Sequence, residues 1–354
     1  YNQFIFPSGG YRMSRFNKGV SALIVFAGVF ALSGTAHASS NWEFSEDSVN
    51  LGIDAVSPHV ERTNGADRVW YPSIPSTAVV DCNEAGSCTS VPGVGRLGTD
   101  FTAVTLPNGS RRAYYVEMIQ GSGQKTVVSA ACATSECLSV GGSTAIAADV
   151  AVSTNEKAWG VPDAVLTPEG KVRVYLVVSL GQNSGCPEKV RSYISDDGIS
   201  FTQESGFRLE GGYVDTEVLR AKSGDWLMMT STGPGCGNGM QQLFVTSSTD
   251  GLTWSKPQVL TKDDKRRLDP TGYEVAPNVF RIYYSSAESR MTQSYQLRRG
   301  TLKIGSGSAS TTTTASAKVG AACTKAGAKQ TVTIAKKNVK LTCKTVKKKL
   351  VWSK

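Results

Sequence analysis

Residues 163–178 read DAVLTPEGKVRVYLVV: an aspartate, a short apolar strand, a Pro-Glu-Gly turn, and a second strand rich in β-branched and aromatic residues. The turn residues set a hairpin, and the flanking composition suits a sheet buried on both faces. The same order recurs on either side. At Asp100 it is DFTAVTLPNGSRRAYYV, at Asp215 DTEVLRAKSGDWLMM, at Asp269 DPTGYEVAPNVFRIYY, and in a degenerate form at Asp54 it is DAVSPHVERTNGADRVWY. Successive aspartates are 46, 63, 52 and 54 residues apart, which leaves room for four strands in each unit. Five similar units point to a radial array of small sheets. A β-sandwich accommodates them poorly.

A second signature follows two of the units, as SDDGISF (Ser195 to Phe201) and STDGLTW (Ser248 to Trp254). The aspartate can accept backbone N–H groups within the turn, the glycine takes a positive φ, and the aromatic packs between strands. In the units that begin at Asp54 and Asp100 the same region holds CNEAGSC and CATSEC, so short disulfides Cys82–Cys88 and Cys132–Cys137 are expected to staple those hairpins.

With these motifs in place, residues 50–303 resemble five-bladed β-propellers with Asp-box hairpins, most closely the arabinanase/β-xylosidase and invertase-type glycoside hydrolases. The resemblance implies an all-β chain with a propeller over 39–303. Strand 1 of each blade then lies nearest the axis, so the repeated aspartates sit at one mouth of a funnel. Cys186 and Cys236 fall in loops between strands 2 and 3 of consecutive blades, and a Cys186–Cys236 bridge is expected across that mouth. In the resembled hydrolases a first-blade Asp is the base, a third-blade Asp tunes, and a fourth-blade Glu is the acid. That implies Asp54 as base and Asp163 as tuner. The fourth-blade position holds Asp215, with Glu217 two residues on and on the same strand face. Inverting hydrolysis needs two carboxyl groups roughly 6.5–9.5 Å apart, and crowding raises their pKa values. Asp residues can equally accept backbone N–H bonds and stitch blades together. Because all five units carry one, two or three must be architectural.

His59, Asp100, Trp159, Tyr213 and Asp269 complete the expected mouth as substrate contacts. Arg173 and Arg281 fall in second strands, where pairing between blades is the expectation. The resemblance thus favours a carbohydrate-active hydrolase. A propeller that binds glycans or cell-envelope polymers without cleaving them is the alternative. A Ser-His-Asp hydrolase is disfavoured because no GxSxG occurs, and an Arg triad of the sialidase kind cannot be assembled. Structural zinc is disfavoured, since no CxxC occurs and His59 is the only histidine after residue 38. No cofactor is implied, and calcium in the funnel stays an alternative without a recognisable calcium loop.

The net charge of +9 is unevenly spread. Every acid lies between Glu43 and Glu288, residues 1–38 carry three basic residues, and residues 318–354 carry eleven lysines and no acid. Removing both ends leaves a body near −5, which disfavours nucleic acid as its partner. Residues 13–38 combine a cationic start, an apolar run from Val20 to Leu32, and Ala36-His37-Ala38, the pattern of a cleaved signal peptide. Residues 1–12 read as upstream frame. No transmembrane segment is expected after cleavage. The product would be secreted or wall-associated and monomeric. Residues 304–317 read as a Ser/Thr/Gly linker. Residues 318–354 resemble small Lys-rich C-terminal modules of exported actinobacterial proteins. This module would be a β unit closed by Cys323–Cys343, suited to an anionic cell-wall polymer.

Overall fold

The structure is a computed structural model. It describes residues 41–353 apart from 74–75, 96, 120–123, 154–159, 180–185, 234–235, 237–239, 290–293, 305–328, 335–336 and 347–348. The expected leader, Trp159, most of the linker and Cys323 lie outside the described residues.

The chain is an all-β five-bladed propeller followed by a small three-stranded sheet. Strand β1 (Trp42–Glu46) comes first. Blade 1 is β2 (His59–Thr63), β3 (Ala66–Ser73), β4 (Ser76–Cys82) and β5 (Cys88–Ser90). Blade 2 is β6 (Thr99–Thr105), β7 (Arg111–Ile119), β8 (Gln124–Cys132) and β9 (Val140–Ser153). Blade 3 is β10 (Gly160–Leu166), β11 (Val172–Ser179), β12 (Glu188–Ser195) and β13 (Thr202–Gln203), with β14 (Leu209–Glu210) also pairing with β12. Blade 4 is β15 (Tyr213–Arg220), β16 (Trp226–Thr232), β17 (Leu243–Ser248) and β18 (Gln258–Val259). Blade 5 is β19 (Arg266–Ala276), β20 (Val279–Ala287) and β21 (Gln296–Ile304).

The outer strand of blade 5 is β1, antiparallel to β21, so the first described strand closes the ring. The strand lies inside the propeller range of 39–303 but outside the five repeated units read from the sequence. A lone WEFSE segment has no hairpin partner beside it in sequence. At the closure Val60, Val69 and Val80 of blade 1 pack on Tyr283 and Leu297 of blade 5, and polar contacts flank them. Arg299, 2% exposed, binds Asp47 and donates to the carbonyls of Asn83 and Glu84 in the blade 1 hairpin. Buried Asp67 on β3 accepts hydrogen bonds from the Tyr273 and Tyr283 hydroxyls of blade 5.

Apolar clusters fill the spaces between neighbouring blades rather than the axis. Val104, Tyr114 and Val116 of blade 2 pack on Ala164, Val174 and Leu176 of blade 3. Tyr175 of blade 3 packs with Val218, Trp226 and Met228 of blade 4. The SDDGISF and STDGLTW turns join these interfaces. Asp197 Oδ1 accepts the N–H groups of Ile199 and Ser200, which holds its carboxyl well below the ordinary range. Asp250 does the same with Leu252 and Thr253. Tyr114 of the preceding blade donates to the Gly198 carbonyl at 3.0 Å, and Tyr175 donates to that of Gly251 at 2.8 Å. Both glycines have φ near +70°, and a Cβ on either would come within 2.8 Å of that tyrosine oxygen. Only glycine fits both demands.

The expected disulfides Cys82–Cys88, Cys132–Cys137 and Cys186–Cys236 are formed. Cys343 is disulfide-bonded as well, while Cys323, the partner expected for it, lies outside the described residues. The C-terminal sheet is β22 (Lys329–Ile334), β23 (Lys337–Val346) and β24 (Lys349–Ser353), with Leu341 and Cys343 buried and Lys340 and Lys344 exposed.

Candidate functional site

The five inner strands present equivalent positions in layers along the axis. At the start of each strand one residue has a positive φ: Ser57 (47°), Asp100 (54°), Val161 (33°), Asp215 (54°) and Asp269 (51°). In blades 2 to 5 the ladder slips at this point, between Thr99 and Thr102, Gly160 and Asp163, Val214 and Glu217, and Leu268 and Thr271. A repeated bulge thus throws one residue per blade into the left-handed region. Aspartate tolerates that region better than most residues do. The repeated aspartate is therefore first a backbone requirement.

Two residues further on comes the second layer: His59, Thr102, Asp163, Glu217 and Thr271, each opposite an aromatic or methionine of the second strand. Asp163 belongs to this layer and is not the counterpart of Asp100, Asp215 or Asp269. In blade 3 the first-layer position is Val161. Counting back from the hairpin turn would have shown this. Gly109, Gly170, Gly224 and Asn278, all at positive φ, lie seven residues after Thr102, Asp163, Glu217 and Thr271 respectively.

Asp54 does not reach the axis. It is exposed, bridges Gln296, and precedes β2 by five residues, while Ser57 and His59 hold the two layer positions of blade 1. The first-blade base implied by the resemblance therefore has no carboxylate at the axial positions of either layer. His59, expected as a substrate contact, is 6% exposed, packs between Trp70 and Phe101, and shares a hydrogen bond with Glu61 at 3.1 Å. Tyr213 is half-buried, edge-on to Phe244.

The structure does bring Asp100, Asp163, Asp215, Glu217 and Asp269 together around the axis. Each second-layer side chain reaches the inner strand of the next blade. Asp163 Oδ2 accepts the Val218 N–H at 2.6 Å, and its Oδ1 accepts the Thr102 hydroxyl at 3.1 Å. Glu217 Oε1 accepts the Gly272 N–H at 3.2 Å and the Thr271 hydroxyl at 3.1 Å. Thr271 Oγ1 in turn accepts the Val60 N–H at 3.2 Å, carrying the pattern across the ring closure. The first layer repeats it. Asp215 accepts the Ser231 hydroxyl at 2.5 Å and the Asp269 N–H at 3.4 Å, and Asp269 accepts the Ser57 N–H at 2.8 Å.

Burial raises the pKa of all five carboxyls, and charge sorts them into pairs. Burial pushes Asp163 up to about 6, against the opposing pull of the Val218 N–H. Glu217 is raised well above the ordinary range by burial and by the Asp163 charge, against the opposing pull of the Gly272 N–H and the Thr271 hydroxyl. Asp215 is likewise raised to about 6 by burial, opposed by the Ser231 hydroxyl and reinforced by the Asp100 charge. Asp269 is raised well above the ordinary range by burial and by the Asp215 charge, against the opposing pull of the Ser57 N–H. Asp100 is half-buried; desolvation raises its pKa while Ser57 and Lys125 oppose the shift.

Between the described residues the mouth end encloses about 30 Å³, lined by Ser57, Asp100, Asp215, Glu217 and Asp269. That is the scale of a water molecule rather than a sugar. The opposite end opens into about 590 Å³ lined by the inner strands. Among the described residues no group of three or more His, Cys, Asp or Glu is arranged to hold a metal ion. Arg173 binds Glu204 within blade 3 and reaches the Asp250 carbonyl of blade 4, and Arg281 of blade 5 binds Glu84 and Asp67 of blade 1.

No protein-family model matches the chain, and no curated protein matches it. Solved structures do. An endo-arabinase from Bacteroides thetaiotaomicron superposes with a TM-score of 0.52 at 10% identity, covering 72% of this chain and 96% of that one. A thermostable family-43 glycoside hydrolase gives a TM-score of 0.52 at 13% identity, covering 73% of this chain and 91% of that one. A GH43 protein from Bacillus licheniformis gives 0.50 at 10% identity, covering 73% of this chain and 54% of that one. The likeness is one of fold, a glycoside-hydrolase-like propeller.

Proposed function

We propose that this chain is an exported carbohydrate-binding propeller in which the axial carboxylates hold the blades together and do not cleave glycosidic bonds. The observation that carries this reading is the backbone stitching. Asp163, Glu217, Asp215 and Asp269 each accept the N–H of the neighbouring blade's inner strand. A catalytic base must instead be free to take a proton from water, and Ser57 stands where blade 1 would supply one. The carbohydrate class follows from the fold's likeness to glycoside hydrolases. Export follows from residues 13–38 and the disulfides. The Lys-rich C-terminal sheet suits retention on anionic wall polymers.

One observation favours hydrolysis as a second reading. Burial and a neighbouring carboxylate raise the pKa values of Glu217 and Asp269 well above the ordinary range, the direction a general acid needs, and Asp100 is partly exposed at the mouth. A panel of arabinan, xylan, fructan and aryl-glycosides separates the two. Binding without turnover is expected. Turnover abolished by Asp100→Asn would establish hydrolysis and overturn the binding-only reading. Deleting residues 318–354 is expected to abolish sedimentation with isolated cell walls.

A further inference from the structure

A cleft of about 830 Å³ opens between blades 1 and 2 on the mouth end, away from the axis. Its size lies within the roughly 300–1,000 Å³ of small-molecule sites. Blade 1 contributes Pro72 and Thr77 at its mouth edge; blade 2 contributes Tyr115, Glu117 and Met118 of β7, Lys125 of β8, and the start of β9. The sequence explains why space is left there. Strand β9 begins Val140-Gly141-Gly142-Ser143, and the paired glycines remove two side chains from the wall.

The chemistry of the lining is balanced. Among the described lining residues Glu117 is one anion and Lys125 one cation, so their charges balance. Ser143 Oγ donates to Glu117 Oε2 at 3.1 Å. The Tyr115 phenol sits beside Glu117, and burial with that neighbouring charge raises its pKa to about 12, so it remains a hydrogen-bond donor. Leu97 is an apolar wall and Met118, 57% exposed, an apolar lip. Donors and acceptors set beside apolar surface match a sugar's hydroxyls and C–H face. Thr99, which lines the cleft, adjoins Asp100 of the axial mouth, so the inner end of the cleft lies beside it.

We infer that this inter-blade cleft, with Glu117 and Lys125 as its polar anchors, is the binding groove for a neutral oligosaccharide. The inference rests on the carbohydrate-binding reading and moves its site off the axis. Two variants test it without disturbing the fold. Glu117→Gln keeps an acceptor for Ser143 and removes the charge. Gly142→Leu fills the cleft, since a Cβ there meets no atom within 4 Å. Asp163→Asn serves as the axial control.

Calorimetric titration of the full chain with xylohexaose and arabinohexaose is the measurement, with thermal unfolding to verify folding. The expected result is that wild type and Asp163→Asn bind alike, while Glu117→Gln and Gly142→Leu bind at least tenfold more weakly. Wild-type binding that both cleft variants retain would overturn the groove and leave the carbohydrate reading standing. No binding of either probe by any form would overturn both for these saccharides.

Discussion

Replacing Asp163 by Asn should change the slope of stability against pH, not merely its level. In the folded chain burial raises Asp163 from 3.8 to about 6, beside a Glu217 whose own pKa is raised further by burial and by the Asp163 charge. Below 3.8 the carboxyl is protonated both folded and unfolded, and the contribution of the neutral form is complete. Between 3.8 and about 6 the folded state binds more protons than the unfolded state, so stability falls as pH rises, and above 6 the loss is complete. A shift of that size corresponds to about 3 kcal/mol for the pair, at 1.36 kcal/mol per pKa unit. Asparagine stays neutral throughout and still offers an oxygen to the Val218 N–H. Any constant loss from imperfect hydrogen bonding, about 1 kcal/mol, shifts its curve without tilting it. Carboxylates with depressed pKa values, such as Asp67 and Asp263, tilt both proteins equally and cancel in the difference. Urea unfolding of both proteins at pH 4, 5, 6 and 7 is the assay. The difference should move in favour of Asp163→Asn by about 2 kcal/mol between pH 4 and pH 7, since part of the shift already falls below pH 4. Parallel curves, or a drift in favour of wild type at higher pH, would refute the buried carboxyl pair.

Gly198→Ala and Gly251→Ala should each destabilise by roughly 1–3 kcal/mol in thermal unfolding, because both combine a positive φ with a tyrosine oxygen 2.8 Å from the new methyl. Arg299→Met should cost roughly 3–5 kcal/mol by leaving Asp47 and the blade 1 hairpin carbonyls without their donor, and amide exchange should quicken first in β1. Removing Cys186–Cys236, which closes a separation of 50 residues, should cost about 4 kcal/mol in urea unfolding. Removing Cys82–Cys88, with a separation of 6, should cost only about 2 kcal/mol. The reverse order would show that the short hairpin bridge, through its contact with Arg299, carries the ring closure.

The fold was legible because blades are local. Hairpin turns at Gly109, Gly170 and Gly224, and the recurrent run of aspartate, strand, turn and strand, lie within about twenty residues of one another. Short-range steric and hydrogen-bonding rules act over that distance. The three disulfides inside the propeller were legible for a related reason, since two close single hairpins and the third joins equivalent loops of consecutive blades. The site was less legible. Reading by the letter Asp merged two layers, because Asp163 sits two residues beyond the bulge that the other aspartates occupy. It also promoted Asp54, a surface residue, over Ser57 and His59.

From the amino-acid sequence alone come the all-β blades, their number, the turns and the two hairpin disulfides, all set by neighbours along the chain. The tertiary structure decided which carboxylates face which backbone amides. It also decided that β1 closes blade 5, that Asp67 on blade 1 anchors tyrosines more than 200 residues away, and that a glycine pair on β9 opens a cleft beside blade 1. Those outcomes depend on hydrogen-bond register and on packing between blades. Both arise only when strands far apart in sequence meet, so the aspartates that mark each blade became legible as its stitches only in three dimensions.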